Sequence, residues 1–248
     1  MVYVEHHAQE QAMSEFTSAR ELLLHSHHGV LSTHSAKEPG YPYGSLLPFC
    51  LGADGQPLGL ISELAQHTRN LRQNPKASLT LFQAAESDQI QAGPRLVLLG
   101  EAYFLSPAES EQLAPRYYRY LPSSPDYRLL NDFCFVSLQT RRLHYIAGFG
   151  QIRWLEASEV LKASPFLPLQ ENAMLEDLNT REAELLAAIW HKACGSAASE
   201  PVAIAGLDGD GGDLRQGSRL LRFDFMSPVA DLEQAWHRLH AGEVRANG

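Results

Sequence analysis

The chain has 248 residues, 44% of them hydrophobic and 20% charged, with 20 Lys and Arg against 29 Asp and Glu for a formal net charge of −9. That length admits two domains of ordinary size, each with its own apolar core, and the acidic balance excludes non-specific binding to nucleic acid, which needs clustered basic residues. Cys50, Cys134 and Cys194 lie far apart with no Cys-x-x-Cys pair, no stretch approaches the ~18 apolar residues of a membrane span, and the N-terminus lacks a secretory pattern, so a cytoplasmic protein without a disulfide framework is expected.

Phe16, Ala19, Leu22 and Leu23 recur at helical spacing and predict a helix over 13–26. Strand patterns follow at 29–35, 43–52 and 58–62, with Asp54-Gly55 as a hairpin turn between the last two. A helix is expected after Ser62, which is placed as its N-cap, and it stops at Asn74-Pro75 because the residue before proline resists the α region. Strands are expected at 76–82 and 95–105, then a helix capped by Ser106 with Pro107 in its first turn, then strands at 133–140 and 142–150. Six or seven mostly antiparallel strands interrupted by helices predict a closed barrel.

Pro165 and Pro168 break any regular element over 156–170, so the boundaries are a barrel domain at 1–156, a linker at 157–170 and a small α+β domain at 171–248. In the small domain a helix is expected over 172–193, strands at 202–208 and 219–225, and a last helix whose Val229, Leu232, Trp236 and Leu239 form one apolar stripe. GLDGDGGDL carries Asp208, Asp210 and Asp213 like a calcium loop, but the twelfth position is Arg219 where a bidentate Glu is needed, so it reads as a hairpin loop.

The segment LISELAQHTRNLRQNPKASLTLF, an apolar strand ending in Ser, a short helix with Asn-Leu and Asn-Pro, and a second apolar strand, resembles the FMN-binding split-barrel family that contains pyridoxamine 5'-phosphate oxidase. The later NDFCFVSLQTRRLHYIAGFGQIRWL is similar to the HugZ-type heme-utilisation branch of that family, and the tail from about 172 to 242 resembles the small domain that follows the barrel there. The resemblance implies a mainly antiparallel split β-barrel with helices plus a small C-terminal α+β domain, a homodimer with a planar anionic cofactor, heme or FMN, between the subunits, and no membrane partner. In the oxidases the strand before the hairpin carries Arg and Lys on the flavin; here Ser45 to Cys50 has neither, and the basic pair at the helix start becomes Gln66 and His67. The implied activity is therefore HugZ-like heme binding and degradation first, an FMN-dependent oxidoreductase second, and a non-catalytic interaction protein that kept the barrel third.

The candidate cofactor-binding residues are Ser62, His67, Thr68 and Asn70, at a helix start where backbone N–H groups and the helix dipole favour a phosphate or carboxylate, the alternative being that they cap the helix and form its polar face. Arg141 and Arg142 suit a propionate or phosphate by bidentate pairing, or else form a solvated strand junction. Gly148 and Gly150 around Phe149 read as a bulge ending the barrel. Heme iron is commonly held by His, and the branch is implied to supply one from the C-terminal end, where His237 and His240 lie on the last helix, on the face of Glu233 and opposite Trp236, which also suits solvated side chains. Asp132 is a candidate to orient a ligand histidine of the partner subunit, or a strand-start turn residue. His27, His28 and His34 form a loose group without a ligand pattern. The aromatic-rich stretch from Tyr117 to Tyr145 is the expected source of subunit interface.

Overall fold

A computed structural model of the protein describes residues 19–82, 93–124, 132–148 and 151–246. They fall into two compact units, the first drawn from 1–51, 56–105 and 130–162, the second from 52–55, 106–129 and 163–248.

In the first unit a helix α1, described over 19–24, leads into β1 (His28–His34), β2 (Pro42–Leu51), β3 (Pro57–Ser62), α2 (Gln66–Gln73), β4 (Lys76–Phe82) and β5 (Arg95–Phe104). After α3 (Pro107–Tyr120) come β6 (Phe133–Gly148), β7 (Gln151–Glu156) and α4 (Ala157–Val160). The sheet order is β3-β2-β1-β4-β5-β6-β7, and an antiparallel pairing of β3 with β6 closes β1 to β6 into a barrel, as expected for a split barrel. Burial alternates along β1 and β4, so Leu31, Leu79 and Leu81 point inward while Ser32, His34, Lys76 and Ser78 share the outer face. Leu79, Leu81, Leu96, Leu98 and Leu143 are fully buried in this core, each contributing about 1.5–3 kcal/mol of burial free energy. At the hairpin turn Gly55 takes φ +77, which a side chain would resist, and its N–H donates to Gly52 O at 2.9 Å.

The second unit holds α3, α5 (Pro168–Arg181), α6 (Ala183–Cys194), β8 (Val202–Leu207), β9 (Gly211–Gln216), β10 (Arg219–Phe225), α7 (Leu232–His240) and β11 (Val244–Ala246). Its four strands form an antiparallel sheet in the order β11-β10-β9-β8. Trp190, Leu175, Leu186, Phe223 and Leu239 fill its core.

Several elements match the sequence expectation closely. Ser106 caps α3 in a reciprocal capping box with Glu109, and Pro107 occupies the first turn. α2 stops at Gln73, ahead of Asn74-Pro75. Val229 and Leu239 are buried, with Leu232 and Trp236 packed beside them.

Others differ for identifiable reasons. Ser62 does not cap α2: its Oγ accepts from Leu64 N at 3.1 Å in a local turn, and the helix starts at Gln66 behind Ala65, which makes no side-chain capping bond. The strands expected at 133–140 and 142–150 are one strand, continuous through a bulge at Arg141. Pro168 does not break structure but opens α5, where its missing N–H costs nothing. The helix expected over 172–193 divides at Glu182. The acidic loop around Asp208 is the hairpin turn between β8 and β9, as expected, but β9 and β11 make the small unit's sheet four-stranded where two strands were expected. Phe16, Phe149 and Gly150 lie outside the described residues. No described helix is long and apolar enough to cross a membrane.

Candidate functional site

A groove of about 500 Å³ lies on the outer face of the barrel, a size suited to a small-molecule ligand. Its walls come from the end of β1 (Ser32, Thr33, His34), the β1–β2 connection (Gly40, Pro42), the start of β4 (Lys76, Ala77, Ser78), β5 (Leu99, Gly100, Glu101) and Arg141 of β6. The outer positions run as a row across four adjacent strands. Lys76 pairs with Glu101 and Glu101 with Gln139 in register, His34 stands one step beyond the paired residues Thr33 and Ala77, and Arg141 lies two residues beyond Gln139 on β6.

Arg141 reaches the groove because of a bulge. The register pairs Leu99 with Arg142 but Gly100 with Thr140, leaving Arg141 as the extra residue on its strand. Such an insertion bends the strand and re-aims a side chain. Gly100 makes it possible, since a Cβ there would sit 2.4 Å from Gln139 O. The Arg141 guanidinium pairs with Glu101 at 3.1 Å and is 75% exposed, so it retains open donors toward the groove. Arg142 goes elsewhere: it pairs with Glu156 at 3.2 Å and lies over the Trp154 ring.

The β1–β2 connection is held from behind by Asn70. Asn70 Oδ1 accepts from Ala36 N at 2.9 Å and from Gln66 Nε2 at 2.8 Å, and its Nδ2 donates to Thr33 Oγ1 at 2.8 Å. Asn70 and Thr68 are both fully buried, and Thr68 Oγ1 donates to Ser62 O at 2.6 Å. Two of the four side chains expected at an anion site on α2 therefore brace the barrel from inside. Gly40, at φ +88 with open space where a Cβ would stand, keeps the groove mouth clear at a backbone conformation that side chains resist.

The remaining candidates are placed apart from the groove residues. Ser62 Oγ donates to Asp132 Oδ2 at 3.0 Å, while Asp132 Oδ1 is buried without a partner, so this carboxylate faces its own chain's β3. Beside it the Cys134 thiol is pushed up to about 12, mainly by burial and further by Glu63, and is no nucleophile at neutral pH. His67 is half-buried, its Nε2 has no partner, and burial holds its pKa below the usual imidazole value. In the second unit His237 is 75% exposed and 3.9 Å from Glu233. His240 differs from expectation: one helical turn after Trp236, it stacks on that ring at 4.2 Å and pairs its Nδ1 with Trp236 O at 2.9 Å. Tyr117, Tyr120 and Tyr145, within the stretch expected to form an interface, are each buried inside their own unit.

Sequence reasoning passed over Lys76, Glu101 and Gly40. A signal for the bulge was present, because the inward positions Leu138 and Thr140 switch parity to Leu143 and Tyr145 across the two arginines. The groove cations came from different strands, and only the folded barrel, with its bulge at Arg141, brings them together.

The family model described as pyridoxamine 5'-phosphate oxidase matches residues 17–147. The chain is 35% identical over 145 residues to the chloroplastic heme oxygenase HOZ of Arabidopsis thaliana; that match covers 58% of this chain and 43% of the relative, less than half its length. Among solved structures, a protein of unknown function from Agrobacterium tumefaciens is similar with a TM-score of 0.75 at 25% identity, covering 91% of this chain and 94% of that one. A heme binding protein from Mycobacterium smegmatis is similar with a TM-score of 0.54 at 22% identity, covering 92% and 95%.

Proposed function

Because the chain belongs to the pyridoxamine 5'-phosphate oxidase family, we propose that its outer groove holds a planar anionic cofactor, heme first, in a HugZ-like protein that binds and degrades heme. The observation that carries this reading is the groove across β1, β4, β5 and β6, where a histidine, a lysine and a bulge-presented arginine stand beside the apolar side chains of Leu99 and Pro42. Arg141 and Lys76 are the residues that would hold heme carboxylates, the first by its planar fork and the second as a point charge. When bound, heme supplies the activation of dioxygen needed to oxidise a porphyrin ring. The chain's own part is to seat the ring, neutralise its carboxylates and shield one face on the barrel. The 35% identity to HOZ, which is named a heme oxygenase, supports heme over other ligands.

FMN is the second reading. It is favoured by the start of α2, where Ala65 offers no side-chain cap to the first N–H groups and a phosphate can take their place.

We also infer a homodimer built on the outer barrel face. Leu46, Val30, Thr80, Val97, His144 and Trp154 align in register across six strands, next to the groove row, with Leu46 75% and Trp154 54% exposed. An apolar row of this width, continuous with the groove, suits a second copy that would cover the cofactor.

Absorbance titration of the ligand-stripped protein with hemin, and separately with FMN, tests the reading. A saturable Soret shift, weakened in Arg141→Glu and Lys76→Glu, is the expected result. Saturable FMN binding without a specific hemin response selects the second reading, and binding of neither leaves a barrel without a cofactor. Light scattering before and after Leu46→Glu with Trp154→Glu tests the dimer, which should dissociate.

A further inference from the structure

Resting on the heme reading of the groove, we propose that His34 is the side chain that ligates the iron. His34 is the one imidazole lining the groove among the described residues. It is exposed, it ends β1 on the outer face, and it lines the groove together with Lys76 and Arg141. The other histidines described in the barrel unit are set differently: His25, His27 and His28 lie at or before the opposite end of β1, His144 is stacked 4.5 Å from Trp154, and His67 lies half-buried on α2.

The backbone around His34 is fixed more firmly than an exposed strand end requires. His34 pairs with Pro42 in register, and Ser35 N donates to Tyr41 O at 3.0 Å. Just inside, Thr33 Oγ1 donates to Tyr43 O at 3.3 Å and accepts from Asn70. Two residues later Ala36 N is held by Asn70 Oδ1. The segment on either side of the imidazole is thus tied to α2 through one buried amide, which limits the motion of the imidazole's anchor. A metal-ligating side chain gains from such support, because ordering it on binding then costs less. The donor set fits the group: an imidazole for iron, and two cations for carboxylates, in one groove.

The test uses the full-length protein and hemin as the probe. Ferric and ferrous absorbance spectra and ferric electron paramagnetic resonance are compared for wild type, His34→Ala, His34→Met and the double variant His237→Ala with His240→Ala. His34→Ala should still bind hemin saturably, since Arg141 and Lys76 remain, but its Soret band and ferric spin state should change and then return on adding free imidazole. His34→Met should give a third, distinct spectrum, showing that the side chain at this position reaches the iron. Spectra of both His34 variants identical to wild type overturn the inference while leaving heme binding intact, as does loss of the wild-type signature in the double variant alone. Absence of saturable hemin binding by wild type overturns the proposed function and this inference with it.

Discussion

Asn70 Nδ2 donates to Thr33 Oγ1 at 2.8 Å, and both side chains are buried, the first completely. The bond joins α2 to β1 behind the groove, and the same amide holds Ala36 N in the connection that carries Gly40. Replacing Asn70 with Ala removes this brace and leaves the Ala36 N–H unpaired. A loss of about 1–3 kcal/mol in unfolding free energy follows. Hemin affinity should also fall, although Asn70 lines no part of the groove. Urea denaturation and hemin titration of the same variant measure both effects, and unchanged affinity would show that the β1–β2 connection is set without Asn70.

The two roles of Asn70 show what the sequence reveals and what it hides. Local rules located α3 through Ser106 and Glu109, the end of α2 through Asn74-Pro75, and the α7 stripe, because in each the deciding atoms are within a few residues. Asn70 was marked as a polar residue near a helix start, but its partners Thr33 and Ala36 are more than thirty positions away, and nothing local tells a buried brace from a ligand. The groove depends on register. Lys76 and Glu101 face each other across paired strands, and Arg141 joins them only through a bulge that needs Gly100. Short glycine-rich starts such as Gly211 at β9 read as turns because glycine weakens a strand pattern, yet here tight packing against Phe223 requires it.

Gly100→Ala should destabilise the barrel by about 2–3 kcal/mol, as overpacking does. The added Cβ would meet Gln139 O at 2.4 Å and Gln139 C at 2.8 Å, both backbone atoms that yield only if β5 and β6 part. Gly44→Ala is the control, with its nearest neighbour an ordinary 3.6 Å from Val30 Cγ1 and a change below about 0.5 kcal/mol. Thermal unfolding compares the two. If they are equally stable, the bulge tolerates a side chain and Arg141 does not depend on Gly100.

In the second unit, Arg222 is 3% exposed and pairs with Asp208 at 2.9 Å, Asp213 at 3.3 Å and Asp224 at 3.7 Å. Tyr120 donates to Asp213 as well, and burial together with the Asp213 charge keeps its hydroxyl protonated far above the usual range. Arg222→Leu removes the buried cation that Asp208 and Asp213 share, with Asp224 still 3.9 Å from Arg245, and should cost about 3–5 kcal/mol at pH 7. Burial already holds the Asp224 carboxyl above its usual value against the pull of Arg222, and loss of the guanidinium raises it further. That part of the penalty is therefore full above the raised Asp224 value and lessens as the pH falls through it. Denaturation at pH 7.5 and pH 5 should show the variant's deficit shrinking at the lower pH; a deficit independent of pH would mean that packing, not charge, accounts for it.

His67 gives a pH dependence of the opposite origin. Burial lowers its pKa in the folded protein, so the unfolded chain binds the proton more readily. The stability tied to the neutral ring is fully present above the unfolded value near 6.5 and is lost as the pH falls through the depressed folded value. His67→Gln removes this proton uptake without charging the site. The stability of wild type relative to His67→Gln should thus decline between pH 7 and pH 5. Its slope stays below the one-proton ceiling of about 1.4 kcal/mol per pH unit, since solvent reaches part of the ring. Urea midpoints of both proteins across that interval decide it. A constant difference would mean that the imidazole is as easily protonated in the folded barrel as in the open chain, and that its orphaned Nε2 finds water.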